Sequence, residues 1–264
     1  KFKAFLDYAK SIDADYIATG HYARVVHTEG KESVMLRGVD NNKDQTYFLC
    51  QLNQNQLNNS LFPIGELTKP EVRQIAEELE LPVAHKKDST GICFIGERDF
   101  REFLKNYIPA KSGKMVDIVS KKVIGEHQGI MYYTIGQRKG LGIGGNGEPW
   151  FVVGKDYDKN ILYIAQGDSN KWLLSHGALI TDVNWVSATK PEGEYDCTAK
   201  FRYRQKDNDV SLHFIDETTL YVTFKKPIKA VTPGQAAVFY DGDVCLGGGT
   251  IDKVYKDGKE IDYL

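Results

Sequence analysis

The part of the chain after residue 110 is a series of short β-strand patterns, and this series constrains the fold more than any other feature. Each run is rich in β-branched and aromatic residues, and glycine clusters at 140–147 and 247–249 are typical of turns or close backbone approach. The spacing predicts a small β-barrel, an architecture that often binds oligonucleotides. A barrel whose outward charges serve only solubility fits the same pattern. The predicted strands are 114–118, 150–153, 161–165, 195–204, 210–214, 220–224 and 236–240.

The run 195–204 has the clearest strand periodicity. Mostly apolar residues at its odd positions alternate with polar residues at its even positions. This alternation predicts one face in the core and an opposite face that is mostly basic. It also predicts that Arg202 and Tyr203 point to opposite faces of the strand.

Residues 1–100 are predicted to alternate between helices and strands. Apolar residues at helical spacing start at Phe2 and lead into a short strand at 15–20. A second helix starts at Thr68, which forms a capping box with Glu71, and ends before Pro82. The strands are too few for a complete parallel sheet, so we expect the C-terminal portion of a longer protein. The apolar stripe of the second helix consists of Val72, Ile75, Ala76 and Leu79.

The composition excludes several classes of protein. A length of 264 residues favours about two domains, and 41% hydrophobic with 27% charged residues is ordinary for a globular protein. The net charge of -2 gives no overall attraction to a polyanion, so a nucleic-acid surface would be a local patch. The basic excess in 101–140 fits such a patch, or simply a solvated face. No apolar run approaches the ~20 residues that span a bilayer, so we expect a soluble, cytoplasmic protein.

Four cysteines lie singly along the chain, at Cys50, Cys93, Cys197 and Cys245. This arrangement does not indicate a disulfide framework. Because the chain has no Cys-x-x-Cys pair and its six histidines lack metal-ligand spacing, we expect no structural metal.

Cys93 lies in a polar, glycine-flanked stretch, 86–96 (KKDSTGICFIG). The glycines allow backbone geometry that other residues resist, and the two lysines would favour a thiolate if they lie near the sulfur. The pattern indicates a presented nucleophilic thiol. The alternative is a small buried hydrophobe, since the flanking isoleucines and phenylalanine could form a core strand.

Six segments in fixed order resemble one family, the tRNA-specific 2-thiouridylases (the MnmA/TrmU family). The resemblance covers essentially the whole chain, and motifs as long as 88–96 and 133–142 are far more specific than a single glycine fingerprint. The segments are 18–24 (ATGHYAR), 44–49 (DQTYFL), 86–96, 133–142 (YTIGQRKGLG), 202–205 (RYRQ) and 231–235 (VTPGQ).

The resemblance implies an α/β plus β protein with three parts. These are the C-terminal part of an α/β ATP-pyrophosphatase (PP-loop) domain at 1–100, a small central domain at 101–168 and a tRNA-binding β-barrel at 169–264. The family replaces the C2 oxygen of the wobble uridine of certain tRNAs with sulfur. ATP adenylates that oxygen, and a persulfide on the cysteine matching Cys93 delivers the sulfur. A second cysteine, further upstream in the family, then forms a disulfide with it.

The resemblance also assigns binding positions. Gly20 matches an ATP-contacting glycine, although it could be only a turn at the end of a strand. His21 matches a tRNA contact, although a lone histidine after a strand is more often structural. A polar turn alone would explain the loop around Asp44, and the basic stretch 111–139 would add salt-sensitive attraction to RNA. The remaining tRNA-contact positions are Lys43, Asp44, Gln45, Arg202, Tyr203 and Gln235.

The chain departs from the family at its front. It has no Ser-Gly-Gly-x-Asp-Ser phosphate loop, no upstream partner cysteine and no upstream acid/base aspartate. We therefore expect this chain alone to be inactive. The resemblance implies ATP with Mg²⁺ as cosubstrate, tRNA as substrate, and a cysteine desulfurase or sulfur-relay protein as donor; we expect a monomer.

Two other classes of function stay open. A non-catalytic RNA-binding module would explain the barrel and the basic patch, and would leave Cys93 unreactive. A cysteine hydrolase would pair Cys93 with a histidine, His85 being the closest in sequence, but no oxyanion-hole or triad signature accompanies it.

Overall fold

The computed structural model describes residues 2–86, 103, 106–108, 110–186 and 190–263. Cys93 and most of its motif lie outside these residues. The chain divides into two compact units. Unit 1 contains Lys1–His85, Gly177–Lys226 and Pro233–Lys253; unit 2 contains Lys86–His176, Pro227–Thr232 and Val254–Leu264.

The N-terminal segment of unit 1 mixes short helices and strands, as the sequence predicts. Helix α1 buries Leu6 and Ala9 against Ile17, and strand β1 pairs in parallel with β4. Strands β2 and β3 form an antiparallel hairpin that the sequence analysis did not predict. The elements are α1 (Phe2–Ser11), β1 (Ile17–Ala18), β2 (Ala23–Val26), β3 (Val34–Arg37), α2 (Thr46–Leu49), α3 (Gln54–Asn58), β4 (Ser60–Leu61) and α4 (Lys69–Glu78).

Helix α4 begins as predicted but does not bury its apolar stripe. The Glu71 carboxylate accepts hydrogen bonds from Thr68 N at 2.6 Å and from Thr68 Oγ1 at 2.7 Å, and the helix ends at Glu78. No residue of α4 is buried by the rest of the described chain, and Leu79 just beyond it is 64% exposed. The described residues therefore leave the predicted apolar stripe partly exposed, and the capping box defines the start of this helix.

Unit 2 contains a four-stranded sheet in the order β6-β5-β8-β7. Strands β5 and β8 are parallel, and the other neighbours are antiparallel. Met115, Val152, Leu162 and Ile164 are fully buried in its core. The strands are β5 (Gly113–Asp117), β6 (Val123–His127), β7 (Trp150–Asp156) and β8 (Ile161–Gln166).

The C-terminal strands form the closed barrel that the spacing predicts. Six strands follow the order β13-β10-β11-β12-β9-β14, and pairing of β13 with β14 closes the ring. The β2–β3 hairpin extends this sheet, because Leu36 pairs with Val244. The strands are β9 (Leu174–Trp185), β10 (Glu194–Lys200), β11 (Asn208–Phe214), β12 (Leu220–Lys229), β13 (Ala236–Asp241), β14 (Val244–Lys256) and the short β15 (Lys259–Glu260).

The strand predicted at 195–204 ends early, at Lys200. Residues 201–204 form a turn in which Gln205 Oε1 accepts a hydrogen bond from Phe201 N at 2.8 Å and Arg204 has φ of 64°. Strand alternation therefore does not apply to Arg202 and Tyr203, and the prediction that they face opposite ways on a strand is wrong.

Among the residues described, no helix is both long and apolar enough to cross a membrane.

Candidate functional site

The loop after β3 is held by a buried carboxylate. Asp44 is only 5% exposed, and its Oδ1 accepts hydrogen bonds from Gly38 N at 3.1 Å, Thr46 N at 3.3 Å and Thr46 Oγ1 at 3.0 Å. Its neighbour Lys43 is half-buried. Asp44 thus fixes the loop from inside, and its carboxylate is withdrawn from the surface on which a ligand would lie.

Gln45 connects this loop to the segment that follows β1. Gln45 N donates to Tyr22 O at 2.8 Å, and Gln45 Oε1 accepts from Tyr22 N at 3.0 Å. Because Tyr22 directly follows His21, this pair of bonds sets the positions of the loop and of His21 together.

His21 and Gly20 lie just beyond the carboxyl end of β1. His21 Nδ1 lies 2.9 Å from Thr19 Oγ1, and its ring packs near Phe2 and Phe62 at centroid distances of 5.7 Å and 6.2 Å. Gly20 is exposed, and a Cβ there would meet no atom within 4 Å. The carboxyl ends of parallel strands are the usual place for nucleotides in α/β sheets, so an exposed glycine here fits close approach of a ligand.

A largely buried ionic cluster, with Asp207 at its exposed edge, links the loop to the barrel. Lys200 Nζ lies 3.9 Å from both Asp44 Oδ2 and Asp207 Oδ1, and Arg37 Nη2 lies 3.1 Å from Asp207 Oδ2. The Arg37 guanidinium also lies 3.7 Å from the centroid of the Tyr240 ring. Burial raises the pKa of Tyr240, so its hydroxyl stays protonated, 3.3 Å from Thr46 Oγ1. This cluster positions the loop against β10 and β13.

An aromatic group forms around α2 and the turn after β10. The Tyr203 ring lies 4.5 Å from the Phe48 ring and 6.3 Å from the Tyr47 ring, and the Arg204 guanidinium lies 5.4 Å from Tyr203. Burial lowers the pKa of Arg202, while the nearby Tyr47 opposes that shift. Burial, together with the Cys50 thiol, raises the pKa of Tyr47 to about 12, so its hydroxyl is neutral.

Gln235 lies beside the same helix. Tyr47 donates a hydrogen bond to Ala236 O at 2.9 Å, which ties α2 to the start of β13. The backbone of Gln235 is paired, with Ile251 N donating to its oxygen at 2.8 Å. Its side-chain Oε1 is buried and has no hydrogen-bond partner within the described ranges. A buried acceptor without a partner is costly in the free protein.

The structure therefore brings most of the predicted tRNA-contact positions around α2. We call the exposed and half-buried group Lys43, Gln45, Phe48, Tyr203 and Arg204 the α2 surface. Sequence reasoning missed Phe48 and Arg204, although both lie in the motifs that carry the resemblance. It also missed the cluster of Arg37, Lys200, Asp207 and Tyr240, since strand patterns carry no information about which charges meet across a barrel.

The described cysteines have the properties of inert thiols. Burial raises the pKa of Cys50 to about 11 and that of Cys197 to about 12, and it raises the pKa of Cys245 well above its ordinary value. All three are free. His85, the histidine considered for a hydrolase, is exposed and lies 3.7 Å from Glu77. Neither observation supplies a nucleophile and base for hydrolysis within the described residues.

Comparison with known proteins gives consistent matches along the whole chain. Residues 1–97 match the family model described as tRNA methyl transferase HUP domain, 101–166 match tRNA methyl transferase PRC-barrel domain, and 175–251 match Aminomethyltransferase beta-barrel domain. The chain is 60% identical over 264 residues to proteins named tRNA-specific 2-thiouridylase MnmA from Bacillus cytotoxicus, Bacillus cereus and Bacillus thuringiensis. Each match covers 100% of this chain and 71% of the relative.

Proposed function

The chain belongs to the tRNA-specific 2-thiouridylase family, and we propose that it serves the ATP-dependent conversion of the wobble uridine of tRNA to 2-thiouridine. The observation that carries this proposal is 60% identity over the entire chain to proteins of that name. The grouping around α2 of the residues that the family resemblance assigns to tRNA is consistent with it. The division into domains at 1–100, 101–168 and 169–264 belongs to the same proposal.

The proposed chemistry places sulfur on Cys93. ATP, with Mg²⁺, supplies the activation that turns the C2 oxygen of uridine into a leaving group. The terminal sulfur of a Cys93 persulfide forms a bond to C2, and the bond from C2 to the activated oxygen breaks. A second cysteine, in the upstream region that the family carries, then attacks the Cys93 sulfur. This attack forms the disulfide to Cys93 and breaks the bond between Cys93 Sγ and the outer sulfur, which stays on C2 of uridine. The two cysteines are oxidised, the outer sulfur is reduced, and the activated oxygen has left with AMP. Gly20 contributes an open backbone position for the nucleotide.

The α2 surface is the proposed site for tRNA, together with His21, Arg202 and Gln235. Lysine and arginine suit phosphate oxygens, and the glutamine amides suit ribose hydroxyls and exposed base edges. Asp44 has a different role in this proposal: its hydrogen bonds are all made within the protein, so it positions Lys43 and Gln45. The basic stretch 111–139 would add sequence-independent attraction.

The surroundings of the protein follow from the same proposal. The sulfur would come from a cysteine desulfurase or from a relay protein that carries a persulfide. We place the protein in the cytoplasm, where tRNA is modified, and propose that it acts as a monomer. The raised pKa values of Cys50, Cys197 and Cys245 favour Cys93 as the carrier, because a persulfide forms on a thiolate.

A thiolation assay tests this function. The protein, extended to the length of its relatives, is incubated with unmodified tRNA, ATP, Mg²⁺, a cysteine desulfurase and cysteine, and the digested nucleosides are analysed by mass spectrometry. We expect 2-thiouridine that depends on ATP and disappears with Cys93→Ala. Equal product from Cys93→Ala would contradict the role of Cys93. No product together with no binding of tRNA would contradict the function itself.

A further inference from the structure

We propose that Phe48 stacks on an unpaired base of the bound tRNA. This role rests on the proposed function, and Phe48 is not among the contact positions that the family resemblance assigns. Phe48 is 57% exposed, although Tyr47 and Leu49 on either side of it in α2 are buried. The short helix thus turns one large aromatic ring toward solvent. The exposed ring is open to a ligand that approaches this face of the described chain.

The ring is held in place rather than free to collapse onto the surface. Tyr203 packs against it with a centroid distance of 4.5 Å, and Tyr47 meets it edge-on at 5.5 Å and 89°. Tyr47 is itself anchored by its hydrogen bond to Ala236 O. A ring fixed on two sides with a free face loses little conformational entropy when a base stacks on it.

Positively charged residues near the Phe48 ring favour a nucleic acid as the ligand that stacks on it. Arg204 is exposed and lies 5.4 Å from the Tyr203 ring, and Arg202 precedes the same tyrosine in the turn. Lys43 lies in the loop that leads into α2. Aromatic rings that stack bases, next to cations that hold the backbone, are the usual combination in single-stranded nucleic-acid sites. The anticodon loop of a tRNA presents bases of this kind.

The test compares three variants of Phe48 with a matched control. Phe48→Ala removes the ring, Phe48→Leu keeps apolar bulk without an aromatic face, and Phe48→Tyr keeps the face. The control is Ile215→Ala, because Ile215 is 61% exposed and lies at the far end of the β10–β11 pair from Tyr203. Affinity for a tRNA transcript is measured by fluorescence anisotropy at several salt concentrations, and the thermal midpoint of each variant is measured to verify folding.

We expect Phe48→Ala and Phe48→Leu to weaken binding about 5-fold or more, in keeping with the loss of one stacked base, and Phe48→Tyr and Ile215→Ala to bind as the parent does. The slope of log affinity against log salt should not change, since stacking releases no counterions. Parent-like binding by Phe48→Leu or Phe48→Ala, with a folded variant, would overturn the stacking role and leave the proposed function standing. Absence of binding by the parent chain would overturn both.

Discussion

Lys200 Nζ lies 3.9 Å from Asp44 Oδ2, and the two side chains are only 12% and 3% exposed. This contact joins the last residue of β10 to the loop that carries Lys43 and Gln45. The chain then continues from Lys200 directly into the turn with Arg202 and Tyr203. One buried pair therefore fixes the relative positions of two of the segments to which the family resemblance assigns tRNA contacts.

Asp44→Asn should destabilise unit 1 by about 2 to 3 kcal/mol. The variant removes the charge opposite Lys200 and replaces an acceptor oxygen with a donor in a place where the neighbouring groups are donors. The free energy of unfolding by urea, followed by circular dichroism, measures the change.

Asp207→Asn is the matched control for Asp44→Asn. Asp207 contacts the same lysine at 3.9 Å and Arg37 Nη2 at 3.1 Å, but its side chain is 41% exposed. Asparagine keeps an oxygen that can accept from Arg37, and water replaces much of the rest of the lost interaction. We expect a cost below about 1 kcal/mol. Equal costs for the two variants would show that Asp44 does not anchor the loop.

Arg202→Gln should weaken tRNA binding and make it less sensitive to salt. If the guanidinium contacts one phosphate, the slope of log affinity against log salt decreases in magnitude by about 1. Lys226→Gln, which removes an exposed charge from β12, should leave the slope as it is. A loss of affinity with an unchanged slope would assign Arg202 to a base or to the support of Tyr203 instead.

Gln235→Met should stabilise the free protein and weaken tRNA binding. The buried Oε1 of Gln235 has no partner in the part of the chain that is described, so an apolar side chain of similar length relieves a desolvation cost of about 1 kcal/mol. The same change removes the side-chain amide of the residue that the family resemblance assigns to tRNA contact. Thermal unfolding and anisotropy titration of one preparation measure both effects, and a destabilised variant would contradict this account of the site.

His127 should make the stability of unit 2 fall as the solution is acidified. It is 1% exposed, its Nδ1 accepts a hydrogen bond from Gly129 N at 3.1 Å, and its Nε2 lies 3.1 Å from Asn160 O. Burial lowers its pKa, although the bond to Asn160 opposes the shift. Because the folded pKa lies below the unfolded value of about 6.5, the stabilisation is complete above that pH and is lost as the pH falls through the folded pKa.

A pH series of urea unfolding, from pH 8 to pH 5, tests the role of His127. His127→Gln should be less stable than the parent at pH 8 by about 1 to 3 kcal/mol, since two buried hydrogen bonds are disturbed. The difference should narrow toward pH 5. A difference that widens on acidification would mean that the folded state favours the charged imidazole.

The barrel and the capping box could be predicted from sequence, whereas the exact end of a strand and the pairing of individual strands could not. The capping box of Thr68 and Glu71 depends on residues three apart, and the structure confirms it. Strand β10 ends at Lys200 because the side chain of Gln205 closes a turn there. The alternation of polar and apolar residues continues to residue 204, so the predicted strand was too long. The hairpin of β2 and β3 was missed because its place is set by pairing with β14, more than two hundred residues away.

In the candidate site, too, some residues could be predicted from sequence, whereas the burial or exposure of others could not. The motifs named Lys43, Gln45 and Arg202 as contacts, and the structure places their segments together. The burial of Asp44 was not predictable, because an acidic residue in a polar loop reads as exposed until its donors are known. From sequence, Phe48 and Tyr47 both look like buried core residues. Only the structure shows that Phe48 is exposed whereas Tyr47 is buried. The role of Cys93 stays a prediction from sequence.

The most direct test of the central claim is the intact mass of the protein after incubation with a cysteine desulfurase and cysteine. We predict a gain of one sulfur atom that a reducing agent removes, that Cys93→Ala abolishes and that Cys50→Ala, Cys197→Ala and Cys245→Ala retain. Cys50, Cys197 and Cys245 are protonated at neutral pH, because burial raises their pKa values, so replacing them should not affect uptake of sulfur. No gain of sulfur by folded protein with an active donor, or a gain that survives Cys93→Ala, would contradict the proposal that Cys93 carries the sulfur.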